Sequence, residues 1–152
     1  CPRRRRRRMW IRDSCTGKRG LDMGSGTGVL AIVAVKRGAD HVDAVDIDEW
    51  AYENSLENIE TNGVSGKITP VLGDVTAIAG KKYDFILANI NRNILLADME
   101  RYLAGLEPGG ELLMSGILER DIPAISDKAS SLGMKVEGTF VKDGWAVVCC
   151  VL

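Results

Sequence analysis

Residues 20–28 read Gly20-Leu21-Asp22-Met23-Gly24-Ser25-Gly26-Thr27-Gly28, and this stretch decides the fold. Gly20–Met23 reads as a short strand, the glycines at 24, 26 and 28 as a turn, and Val29–Arg37 as a helix stopped by Gly38. A strand that runs through glycines straight into a helix opens a β-α-β unit. Glycines on alternate positions let the backbone turn sharply and come close to a ligand with no Cβ in the way. The free N–H groups at the helix start then face that ligand. A ligand-free tight turn needs fewer than three glycines.

Outward from this turn the same alternation repeats. His41–Asp46 is expected as a second strand, Glu49–Thr61 as a helix stopped by Asn62-Gly63, and Lys67–Leu72 as a third strand. Tyr83–Ala88 is a fourth, apolar without a break, as a parallel strand buried on both faces must be. Asn93–Leu106 reads as a helix closed by Pro108-Gly109-Gly110, Glu111–Ser115 as a fifth strand, and Glu119–Leu132 as a helix with Pro123 in its first turn. Met134–Phe140 and Trp145–Leu152 are two more strands, and the loop Val141–Gly144 is so short that they must form an antiparallel hairpin. Repeated β-α units give an α/β fold: a mostly parallel seven-stranded sheet with a C-terminal antiparallel hairpin and helices on both faces.

The ligand can be narrowed from the residues. A dinucleotide fingerprint, G-x-G-x-x-G, counted from Gly24 and Gly26 needs a third glycine at position 29, where this chain has Val29. Asp22 lies two positions before the first glycine, where it would repel a pyrophosphate and attract a cation. No Gly-Lys-Ser/Thr occurs, so a Walker phosphate loop is excluded. S-adenosyl-L-methionine carries a sulfonium and an ammonium and no phosphate, so the carboxylate and the displaced glycine point to it together. Asp46 ends the second strand at about the 20-residue spacing of a ribose-binding acid, with Ile47 beside it, and Asp48 is expected to cap the next helix instead. Asp74, in Gly73-Asp74-Val75 after the third strand, is expected to accept from the adenine amino group; the alternative is a turn or cap aspartate.

Composition sets the surroundings. Of 152 residues 45% are hydrophobic, enough for one domain with a real core, and no apolar run reaches the length of about 18 that a membrane helix needs. Seven of the 20 basic residues fall in the first 12 positions, so the body carries 13 basic against 21 acidic residues, a formal −8. Such a body argues against direct nucleic-acid binding apart from the Arg-rich head. Residues 1–17 are expected to be a basic segment, disordered or non-native, with the alternative of an RNA- or acid-binding tail; 18–152 is the ligand-binding domain. Four cysteines without a C-x-x-C and a single His41 leave no metal site and fit a reduced, cytoplasmic compartment.

The motifs LDMGSGTG, AVDID, GDV, YDFILANI and EPGGELLMSGIL, in this order, resemble class I S-adenosylmethionine-dependent methyltransferases. Ala88-Asn89-Ile90 followed by Ser115-Gly116-Ile117-Leu118 is most similar to the PrmA type, bacterial enzymes that methylate a large-subunit ribosomal protein. The resemblance spans about residues 18–152. It implies a Rossmann-like fold, transfer of a methyl group to a lysine or N-terminal amine of that protein partner, and cofactor contacts at Gly24, Asp46 and Asn89. With the residues read above, the expected cofactor set is Asp22, Gly24, Ser25, Gly26, Gly28, Asp46, Ile47, Asp74, Val75 and Asn89, and Asn89 is the expected catalytic residue. Asn89 would accept hydrogen bonds from the amine and aim its lone pair at the methyl. The family's upstream Gly-Thr-Gly-x-His-x-Thr-Thr segment has no counterpart in CPRRRRRRMWIRDSC, and its N-terminal recognition domain has no room in this chain. The rival readings are a methyltransferase for a small molecule or nucleic acid, and a cofactor-binding domain inactive without that N-terminal part.

Overall fold

The computed structural model describes residues 15–152. The expected basic head therefore lies, up to position 14, outside the described residues.

The elements are β1 (Arg19–Met23), α1 (Val29–Lys36), β2 (His41–Asp46), α2 (Glu49–Thr61), β3 (Ile68–Leu72), β4 (Tyr83–Asn89), α3 (Arg92–Ala104), β5 (Leu106–Leu118), α4 (Ile122–Ser131), β6 (Lys135–Lys142) and β7 (Trp145–Val151). They build one seven-stranded sheet in the order β3-β2-β1-β4-β5-β7-β6. All four pairings among β1 to β5 are parallel, and β7 runs antiparallel to both β5 and β6. The hairpin turn is Asp143-Gly144, with φ of 53° and 79°, the paired positive values of a type I′ turn.

Strand side chains alternate between two buried layers. Leu21, Met23, Val45, Ile86, Ala88, Leu112 and Met114 face one core with Leu95, Met99 and Tyr102 of α3 and Ile125 and Ala129 of α4. Val42, Ala44, Phe85 and Leu87 face the other, with Ala31, Ile32, Ala34 and Val35 of α1 and Ile59 of α2. This is why β4 carries no polar residue between Asp84 and Asn89: both faces of Phe85–Ala88 are covered. Because the strands are parallel, their C-terminal ends line up along one edge, and every turn from strand to helix opens there.

Several boundaries differ from the sequence expectation, and two of the differences have a visible cause. α3 stops at Ala104 because Gly105 caps it and donates to Arg101 O and Tyr102 O. Leu106 then pairs with Tyr83, so β5 begins before Pro108-Gly109-Gly110, which forms an irregularity within the strand and not a stop after a helix. The second is at α4. Asp121 Oδ2 accepts from Leu118 N–H at 2.9 Å, folding Glu119–Asp121 into a 3₁₀ turn, and α4 starts only at Ile122.

Among the described residues no helix is long and apolar enough to cross a membrane, and no cluster of His, Cys, Asp and Glu could hold a metal ion. His41 Nε2 lies 2.8 Å from Thr69 Oγ1 of β3 and 3.2 Å from Asp43 Oδ1 of its own strand, tying β2 to β3. Cys15, Cys149 and Cys150 are free and buried. Burial pushes the Cys149 thiol up to about 11 and the Cys150 thiol up to about 12, so neither is a nucleophile at neutral pH.

Candidate functional site at the strand C-termini

The glycine turn is pinned to β2: Gly24 and Ser25 N–H both donate to Val45 O, at 2.9 and 3.0 Å. Gly24, with φ of 74°, also lies against the end of β4, where a Cβ would sit 2.8 Å from Ile90 Cγ1 and 3.0 Å from Asn89 O. The turn and the end of β4 are therefore in contact, and only glycine permits it. Gly26 has open space above its Cα, and its N–H donates to Asp46 Oδ2 at 2.7 Å. Asp48 N–H donates to Asp46 Oδ1 at 2.9 Å. The Asp46 carboxylate is thus fixed by one backbone donor on each oxygen, and each oxygen keeps a lone pair for a hydroxyl donor. Asp48 caps α2, accepting from Ala51 N–H at 3.0 Å, as its position suggested.

Ile47, an apolar side chain beside Asp46, is 77% exposed. Asp74 is exposed and caps the 3₁₀ turn Val75–Ile78, accepting from Thr76 N–H at 2.9 Å and from the Thr76 hydroxyl. Those two hydrogen bonds hold its carboxyl below the usual range. Val75 is buried behind it. Gly28 begins α1 with φ of 82° and packs against Ser55.

Asp22 lies beneath the turn and not in its mouth. It is fully buried, one carboxylate oxygen accepts from Ala31 N–H of α1 at 3.2 Å, and the other has no partner among the described residues. Burial pushes its carboxyl up to about 7; the Ala31 hydrogen bond opposes this and the Asp46 charge adds to it. A folded pKa above the ordinary 3.8 means that the folded state holds a proton which the unfolded chain has released. The contribution of Asp22 to stability is therefore greatest below about pH 4 and is lost as pH rises towards and through about 7. Asp22→Asn, which keeps an acceptor for Ala31 but never ionises, is expected to raise the melting temperature relative to the parent more at pH 8 than at pH 5. A difference independent of pH in paired thermal melts would show that Asp22 does not titrate in this range.

Asn89 ends β4, exposed, and in register with Ser115 of β5. The Ser115 hydroxyl donates to Asn89 Oδ1 at 3.3 Å, and Ile90 N–H donates to Ser115 O at 3.2 Å. Asn91 caps α3 by accepting from Ile94 N–H at 3.1 Å, starting the helix one residue earlier than its periodicity suggests. Asn89 opens onto a cleft of about 590 Å³ whose far wall is the hairpin, with Phe140, Lys142 and Trp145. A second, more polar cleft of about 410 Å³ continues from Asn91, Gly116 and Trp145 to Arg92, Arg120 and Asp121. Sequence reading missed the hairpin wall. Its only trace was a pair of aromatics, Phe140 and Trp145, flanking an Asp-Gly turn, and both are exposed at about half their area or more (45% and 59%).

Comparison with known proteins gives a consistent result. Residues 12–151 match the family model described as ribosomal protein L11 methyltransferase (PrmA). The ribosomal protein L11 methyltransferase of Phocaeicola vulgatus is 51% identical over 133 residues, covering 87% of this chain and 47% of the relative. That of Bacteroides fragilis is 51% identical over 138 residues, covering 90% of this chain and 49% of the relative. The chain thus spans about half the length of the curated relatives it matches. The crystal structure of a ribosomal protein L11 methylase from Lactobacillus delbrueckii subsp. bulgaricus superposes with a TM-score of 0.83 at 28% identity, over 89% of this chain and 69% of that one. Sheet order, glycine turn and family match agree, and the chain belongs to the ribosomal protein L11 methyltransferase (PrmA) family.

Proposed function

We propose that this chain is the catalytic, S-adenosylmethionine-binding domain of a cytoplasmic protein N-methyltransferase whose acceptor is an amine of ribosomal protein L11. The observation that carries the proposal is the contact of Gly24 with Asn89 and Ile90, which brings the ligand-binding turn and the polar end of β4 to one point.

The residues present fit the cofactor. Asp22 and Asp46 have no lysine or arginine within ion-pair distance among the described residues, a donor set suited to a ligand that is cationic and lacks phosphate. The open space over Gly26 leaves room beside the Asp46 carboxylate. In this reading Asp46 accepts from the ribose hydroxyls, Ile47 covers one face of the adenine, and the region of Asp74 and Val75 receives its amino edge. Asp22 lies below, where a cationic ligand over the turn would favour its ionised form. When bound, the cofactor supplies an electrophilic methyl already activated by the positive sulfur. The protein's part is then chiefly positioning. Asn89 Oδ1 accepts an N–H of the entering amine and holds its lone pair towards Gly24, while Ile90 and Trp145 keep water from the reacting atoms. A lysine amine, with a reference pKa of about 10.4, must first lose a proton, and an apolar wall that disfavours the ammonium form assists this.

Calorimetric titration with S-adenosylhomocysteine tests the cofactor half of the proposal. Saturable one-to-one binding is expected, with none for NADH under the same conditions. NADH binding in its place would overturn the assignment.

A further inference from the structure

β5 carries an irregularity beside Asn89. Its pairing with β7 shifts register between Met114 and Ile117, so Ser115 and Gly116 leave the regular ladder at the point where β5 passes the end of β4. Gly116 has φ of 78°, and a Cβ on it would sit 2.8 Å from Asn89 Oδ1 and 3.1 Å from both Ile90 N and Ile90 O. The backbone of Gly116 therefore lies directly against the Asn89 amide. From the same side the Ser115 hydroxyl donates to Asn89 Oδ1, and Ser115 O receives the Ile90 N–H.

An asparagine amide has a broad torsion about its last bond and does not hold its own direction. Asn89 is exposed, and among the described residues its Oδ1 makes no other hydrogen bond. Something outside the residue must fix its plane if it is to present one oxygen to an incoming amine. We propose that Ser115 and Gly116 are positioning residues that lock the Asn89 amide for the acceptor, Ser115 through its hydroxyl and Gly116 by the absence of a side chain. This rests on the functional reading above. The lock leaves the second lone pair of Oδ1 free for the amine. It also accounts for a left-handed glycine inside a strand, where glycine otherwise weakens the sheet.

The test is a double-mutant cycle with a spectroscopic readout. In ¹H–¹⁵N spectra of this chain the Asn89 side-chain amide pair is expected to be shifted from random-coil values and rigid. Ser115→Ala should move the pair to mobile, random-coil-like signals, and Ser115→Thr, which keeps the hydroxyl, should hold it in place. With S-adenosylmethionine and ribosomal protein L11 as substrates, Ser115→Ala should lower kcat about tenfold, the effect of one ordinary hydrogen bond. KM and S-adenosylhomocysteine affinity should stay unchanged, and Ser115→Thr should restore kcat. In an Asn89→Ala background Ser115→Ala should have no further effect. Gly116→Ala should reproduce the mobile amide signals by steric displacement. Asn89 amide signals indifferent to Ser115→Ala, or an equal kcat loss in the Asn89→Ala background, would overturn the proposal. If Asn89→Ala itself leaves turnover unchanged, it is the functional reading that fails, and the amide signals still decide the positioning claim.

Discussion

Asp46→Ala is expected to weaken S-adenosylhomocysteine binding by at least about 100-fold while leaving the chain folded. Asp46 is only half-buried, belongs to neither hydrophobic cluster, and sits at the last position of β2, so its removal opens no core cavity. Its carboxylate is oriented by Gly26 N–H at 2.7 Å and Asp48 N–H at 2.9 Å before any ligand arrives. Two ribose hydroxyls donating to it would form charge-assisted hydrogen bonds at about 1.5–3 kcal/mol each, and their joint loss corresponds to about 10²–10⁴ in affinity. Asp46→Asn keeps one acceptor and should fall between the two. Calorimetry on the three proteins, with circular dichroism to verify folding, reads the series. A loss below about tenfold for Asp46→Ala would remove Asp46 from the ribose site, since even one charge-assisted bond exceeds that.

The parts of the fold that local pattern determines were readable from the sequence. β2 and α2 fall where the pattern placed them, because Val42, Ala44 and Val45 mark a strand within His41–Asp46 and Asp48 and Asn62-Gly63 are explicit helix start and stop signals. β5 was read as five residues, Glu111–Ser115, where the structure has 13, Leu106–Leu118. The missing residues pair through register: Leu106 with Tyr83 on one side, Ile117 and Leu118 with Ala146 and Trp145 on the other. Pairing between strands decides those positions, and local propensity gives no sign of it.

The site divides in the same way. Asp46, Asp74 and Asn89 could be placed at one edge of the sheet because each ends or follows a strand of a parallel sheet, and the ends of such strands converge; that Asp74 spends its carboxylate on capping the turn Val75–Ile78 is the alternative its position left open. Asp22 was recognisable as a residue but not in its surroundings. Position 22 alternates with Leu21 and Met23, which puts its side chain on the α1 face of the sheet, under the turn and not in the open. Ser115 and Gly116 stood out in the sequence only as part of a motif. Their contact with Asn89, far away in the chain, exists only through the register of β4 on β5.

The second large effect is expected at Asn89 itself. Asn89→Ala should lower turnover by about 10²–10³, the usual consequence of removing one preorganised polar group from a reacting centre. Cofactor affinity should change little, because the Asp46 carboxylate and the glycine turn remain intact. The reason for a kcat effect lies in the charge of the reaction. A neutral amine enters and becomes a cationic ammonium as it takes the methyl, so its N–H groups grow more acidic along the path. A carbonyl oxygen accepting one of them binds the transition state more tightly than the ground state, which is the condition for raising kcat. Asn89→Asp tests the same logic from the other side. A carboxylate there still accepts, but it favours the protonated amine before reaction and raises its pKa. That variant should keep part of its activity only at alkaline pH, with the pH profile displaced upward from that of the parent. Steady-state kinetics across pH 7 to 10 on the parent and both variants, with ribosomal protein L11 as acceptor, separates the cases. A loss confined to KM in Asn89→Ala, with kcat unchanged, would make Asn89 a group that holds the acceptor equally in ground and transition states, and the methyl transfer would then owe its rate to proximity alone.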